Sequence, residues 1–174
     1  MLTAVSFSRV QLFDACKLAY KLRHIDKVPE PKSAPLIGGS LFHAWAEKYV
    51  AHLIETKRQT DLEMAQELSK DQTVIKETIP FEVLEDIQAL FLKWVESFVL
   101  PGVPVKVEQE LALDRDFVPC NWFDKATLIR AKIDRVEQPP GAELVIHDYK
   151  TSRALPEYKP LQGKTYAYMK NVDL

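Results

Sequence analysis

The residue types with most chemistry in them lie in Ile146-His147-Asp148-Tyr149-Lys150-Thr151, where a carboxylate and an ammonium stand two positions apart at the end of an apolar strand. Side chains alternate along a strand, so Asp148 and Lys150 point to one face and His147 to the other. Asp134 closes another apolar stretch, Leu128 to Ile133, and Gln138, Pro139, Pro140 and Gly141 between the two stretches form a turn signal. Antiparallel pairing about that turn brings Asp134 within a few residues of Asp148, so two carboxylates converge at one edge of a sheet. Converging carboxylate oxygens are what a hard cation such as Mg2+ or Mn2+ requires, and a neighbouring lysine can orient water or offset charge developing on a phosphorane. A D-x-K triplet by itself reads as a surface ion pair worth under about 1 kcal/mol. Its companions therefore decide its meaning.

The elements that must position these groups read as helices, then sheet, then a helix. Ser6 is an N-cap before Arg9, Val10, Leu12 and Phe13, and a second helical stretch from Asp14 to Arg23 carries Leu18, Tyr20 and Leu22. Pro29, Pro31 and Pro35 break the pattern, and the strap they form ends at Gly38 and Gly39. A helix from Ser40 to about Thr56 follows, with Leu41, Trp45, Tyr49 and Leu53 near helical spacing and His43 one turn in. Residues 61–70 read as a polar helix. Residues 80–99 read as an amphipathic one, in which Leu84, Ile87, Phe91, Trp94, Val95 and Phe98 repeat at three and four and form core. After Pro101, Gly102 and Pro104 the period becomes two, at Val103, Val105 and Val107. Strands are predicted over 103–113, 127–137 and 143–150, and a last helix over about 160–170.

At 174 residues and 47% hydrophobic, the chain has the size of one domain with a sizeable core, so a single domain over 1–174 is expected. It would be mainly helical over 1–100, with the sheet core after that. No apolar run reaches the length of a membrane span and no secretory signal is visible, which points to the cytoplasm. Cys16 and Cys120 offer neither a disulfide framework nor a zinc site. The net charge of −2 is not that of a protein that coats nucleic acid. Its distribution is uneven: residues 1–35 hold six Lys or Arg against three acids, and residues 51–113 six against twelve. A locally basic surface on an acidic body suits attraction of a phosphate, and solvated surface charge gives the same count.

Beyond the D-x-K triplet, the sequence resembles the RecB-like nucleases of the PD-(D/E)XK superfamily, whose pattern is GxxxH, GxxD, DxK and QxxxY. Here stand Gly39-Ser40-Leu41-Phe42-His43, Ala131-Lys132-Ile133-Asp134, Asp148-Tyr149-Lys150 and Gln162-Gly163-Lys164-Thr165-Tyr166, in that order. The opening Ser6-Phe7-Ser8-Arg9, followed by Phe13-Asp14-Ala15-Cys16, is also similar to the family's N-terminal helices. The resemblance covers about residues 6 to 168.

It implies an α/β, restriction-endonuclease-like mixed sheet flanked by helices with a helical N-terminal portion, and a DNA nuclease dependent on Mg2+ or Mn2+. Asp134, Asp148 and Lys150 would be catalytic. The metal would be held by His43, Asp134, Asp148 and the main-chain carbonyl of Tyr149. Gln162 and Tyr166, which share a helix face at i and i+4, would support the site or touch the DNA backbone. The resemblance leans towards an exonuclease in DNA repair, recombination or phage or defence DNA processing, with a helicase or other repair subunit as a partner. His24, His52 and His147 have no motif support, and Glu47 reads as an exposed helix acid. Ala131 replaces the family's glycine. The sequence ends eight residues after Tyr166, which suggests a fragment or a minimal domain. Some relatives bind an iron–sulfur cluster through four cysteines; Cys16 matches the first, but three partners are missing and a cluster is not expected. Two other readings stay open: a catalytically inactive, nuclease-like DNA-binding module, and a helical scaffold with Phe91, Trp94 and Phe98 as its sticky surface.

Overall fold

The computed structural model of the chain describes residues 4–103 and 105–151. They form α1 (Phe7–Ala15), α2 (Lys17–Tyr20) with a π-helical turn (Lys21–Ile25), α3 (Ala34–Thr56), α4 (Leu62–Leu68) and α5 (Phe81–Ser97). A sheet of β1 (Val105–Leu113), β2 (Ile129–Glu137) and β3 (Val145–His147) follows, in the order β1-β2-β3. This is an α/β, restriction-endonuclease-like fold with a helical N-terminal part, as expected. None of the described helices is long and apolar enough to cross a membrane. The last helix expected near 160–170 lies outside the described residues.

Two compact units divide the described chain, one of residues 4–31 and 109–133, the other of 32–108 and 134–151. In the first unit, α1 stops at Ala15 because Cys16 turns to extended backbone (φ −158°, ψ 101°), and the Cys16 thiol caps α2 at the Ala19 N–H. The continuous helix expected over 14–23 is therefore two short pieces and a π turn. Val5 pairs with β2 as an isolated parallel bridge to Ile129, its N–H donating to the Leu128 carbonyl at 2.7 Å.

The second unit is organised by α3 and α5. Helix α3 begins at Ala34 rather than Ser40, because Pro35 sits in its first turn, where the missing N–H costs nothing. Gly38 and Gly39 are thus inside the helix and not in a strap before it. A Cβ on Gly38 would stand 2.9 Å from both Ile87 Cγ1 and Val83 Cγ1 on α5, so the bare backbone is what lets the two helices approach. Their facing residues, Leu41, Phe42, Trp45, Tyr49 and Leu53 against Leu84, Ile87, Phe91 and Val95, form the core. Each large side chain so buried contributes about 1.5–3 kcal/mol. The polar tips are satisfied as well: Trp45 Nε1 donates to the Asp71 carbonyl at 2.8 Å, and the Tyr49 hydroxyl accepts from the Asp61 N–H at 3.0 Å. Strand β3 pairs antiparallel with β2 in the register Arg135↔His147, Val136↔Ile146, Glu137↔Val145. It stops at His147, earlier than the strand predicted to 150.

Candidate functional site

All the groups of interest that the structure describes belong to the second unit. One step along the β2–β3 register from Arg135↔His147, Asp134 and Asp148 face each other. The ladder ends there, and the Tyr149 N–H instead donates to Asp134 Oδ2 at 2.6 Å. The other carboxylate oxygen, Oδ1, lies 3.1 Å from His43 Nδ1 on α3. Asp134 is therefore gripped from both sides, by the strand end that carries the D-x-K triplet and by the helix that carries His43.

Tight contacts fix this geometry. A Cβ on Gly39 would come within 3.1 Å of Thr151 Oγ1, so the glycine four residues before His43 admits the segment next to Lys150. On the other side of β2 the Arg135 side chain is buried, its guanidinium 4.8 Å from the Phe98 ring centroid and 5.9 Å from that of Tyr149. It pairs with Glu137 at 3.0 Å, and His147 Nε2 lies 3.0 Å from the same carboxylate. The Tyr149 ring packs on Phe42 and Trp94, and burial pushes its hydroxyl pKa up to about 12. His147 thus points away from Asp148, as alternation requires.

His43, Glu108 and Asp134 each bring one ligand-capable atom within 4.8 Å of the others. Of the expected ligands, the structure brings together His43 and Asp134 and adds Glu108, which the motifs did not mark. Only the period-two run Val103, Val105, Val107 hinted that Glu108 occupies the polar face. Its backbone sits at φ +48° within β1, a left-handed conformation that costs a non-glycine residue about 1–2 kcal/mol. Such strain, held by the surrounding structure, is typical of functional positions. Asp148 is not among the three; its carboxylate is 2.5 Å from Lys150 Nζ. Gln162 and Tyr166 lie outside the described residues.

Electrostatics match the geometry. For Asp134, burial works to raise the pKa, but the hydrogen bond and charge of His43, the Tyr149 N–H and the charge of Lys150 together hold it below 3.8. The hydrogen bond to Asp134 raises His43 above 6.5, against burial, with the charges of Asp134 and Glu108 adding to the rise and Lys150 opposing it. Two carboxylates and an imidazole with these separations fit a divalent cation, whose opposed ligands stand about 4 Å apart.

Among the described residues, His43, Glu108 and Asp134 are thus a group that could hold a metal ion. The chain belongs to the PD-(D/E)XK nuclease superfamily, whose family model matches residues 4–171. Members of this superfamily are nucleases that use divalent metals. No curated protein and no solved structure matches the sequence.

Proposed function

We propose that this chain is a RecB-like, Mg2+- or Mn2+-dependent DNA exonuclease that acts on DNA ends in the cytoplasm, in repair, recombination or phage or defence DNA processing. The observation that carries the reading is the cluster of His43, Glu108 and Asp134 within 4.8 Å, formed where the D-x-K triplet ends β3. His43, Glu108 and Asp134 would hold the metal, and Asp148 with the Tyr149 carbonyl would complete the set. A divalent cation so bound would supply acidified water and would offset charge on the phosphorane. The chain's own groups do the rest. The Tyr149 N–H orients the Asp134 carboxylate, His43 would have to give up its proton to ligate, and the Lys150 ammonium, paired with Asp148, would turn to the scissile phosphate. By resemblance to the family's QxxxY motif, Gln162 and Tyr166 would steady the site or touch the DNA backbone.

The test is incubation with linear and with circular DNA in Mn2+, in Mg2+ and in EDTA. Metal-dependent shortening of linear DNA with circles left intact is expected, lost in Asp134→Asn and Asp148→Ala without loss of folding. Cleavage of circles would make the chain an endonuclease. DNA retarded on a gel but never shortened would make it a binding module or the nuclease-like subunit of a helicase assembly.

A further inference from the structure

The segment between β1 and β2, residues 114–128, carries groups that the metal site does not use. Phe123 is 85% exposed, and Trp122 beside it is half-buried. The Arg130 guanidinium lies 5.4 Å from the Trp122 ring centroid and 5.9 Å from that of Phe123. Two aromatic rings and one cation therefore share a surface. Leaving a phenyl ring in water forgoes about 1.5–3 kcal/mol of burial, and the contacts that shape the loop do not involve that ring.

Those contacts are made by other groups. Asp114 Oδ1 accepts from the Asp116 and Val118 N–H groups, both at 2.9 Å, and Asp124 Oδ1 from the Ala126 N–H at 2.8 Å. Thr127 Oγ1 donates to the Asn121 carbonyl at 3.0 Å, and Leu113 bridges to Pro119. The rings stand on a braced loop, so little ordering remains to be paid on binding. Three cations stand in the same stretch. Arg115 and Lys125 are exposed, and neither they nor Arg130 pairs with an acid among the described residues. Asp114, Asp116 and Asp124 balance them in number, with Asp114 and Asp124 each turning an oxygen to backbone N–H groups.

We propose that Trp122, Phe123 and Arg130 form a stacking platform for the bases of single-stranded DNA, with Arg115 and Lys125 meeting its phosphates. The choice of nucleic acid as occupant rests on the nuclease reading. Every unpaired base offers a π-face, and stacking on an aromatic side chain contributes about 1–3 kcal/mol per base, with arginine adding a cation–π term. Duplex DNA keeps its base faces stacked inside and presents phosphates and base edges, so the platform discriminates in favour of single strands.

The experiment is fluorescence anisotropy of a fluorescein-labelled oligothymidylate titrated with the full chain in EDTA, where nothing is cut. Phe123→Ala should weaken binding about 5- to 160-fold, Phe123→Trp should retain it, and Phe123→Leu should not. Because Phe123 is 85% exposed, all three variants should melt with the wild type, which separates a surface effect from unfolding. Unchanged affinity in Phe123→Ala, or equal binding by the Leu and Trp variants, overturns the platform. Mn2+-dependent cleavage of linear DNA by the wild type reports on the nuclease reading separately. Cleavage with undiminished oligonucleotide affinity in Phe123→Ala refutes the platform alone, and a wild type that neither binds the oligonucleotide nor cuts removes both.

Discussion

Replacing Glu108 by Gln should take away most of the stabilisation that Mn2+ gives the protein. Glu108 offers a carboxylate oxygen within 4.8 Å of ligand atoms of His43 and Asp134. Glutamine keeps the shape of the side chain and removes the charge that a hard cation prefers. With Mn2+ at a hundred times its dissociation constant, the wild type gains about 2.7 kcal/mol. Loss of even an outer partner of a metal site weakens affinity about 10- to 100-fold. At the same Mn2+ concentration the variant then gains only about 0.4–1.4 kcal/mol. The two gains differ by about 1.3–2.3 kcal/mol. Thermal unfolding followed by circular dichroism, in EDTA and in Mn2+, should therefore show the wild type rising about 3–9 °C more than the variant. An equal rise in the two proteins would refute the assignment of Glu108 to the metal.

Other perturbations test other parts of the structure. Gly38→Ala gains about 1 kcal/mol of helix propensity but drives a methyl to 2.9 Å from Ile87 and Val83, at about 1–3 kcal/mol of overpacking, so urea denaturation should show a net loss of up to about 2 kcal/mol. Arg135→Met strips the half-buried Glu137 of its guanidinium and leaves it His147 alone, which should cost up to about 3 kcal/mol, and adding Glu137→Gln should recover part of it. His43 ligates only when neutral, so apparent Mn2+ affinity by calorimetry should rise about tenfold per pH unit below its raised pKa and level off above it. In the metal-free protein the same pair sets a stability window. His43, raised above 6.5, contributes fully below that pH and loses its contribution as pH rises through its folded value. Asp134, held below 3.8, contributes above that pH and loses its contribution as pH falls through its folded value.

The sequence alone determined what depends on local spacing. The D-x-K triplet put Asp148 and Lys150 on one side and His147 on the other, the turn at Pro139-Pro140-Gly141 called for a hairpin that brings Asp134 within a few residues of Asp148, and the three-four repeat drew α5 nearly to its ends. Period and turn chemistry act over a few residues, which is why they could be read. Tertiary structure decided the rest. Gly38 and Gly39 looked like the end of a strap, and only the closeness of Ile87, Val83 and Thr151 shows why glycines belong inside α3. Cys16 interrupts a helical pattern through a backbone conformation that periodicity does not encode. Glu108 joined His43 and Asp134 although nothing within its own strand distinguishes it from its polar neighbours. Its place depends on which helix and which strand pack beside it, and on a positive φ that a repeat of two residues could not announce.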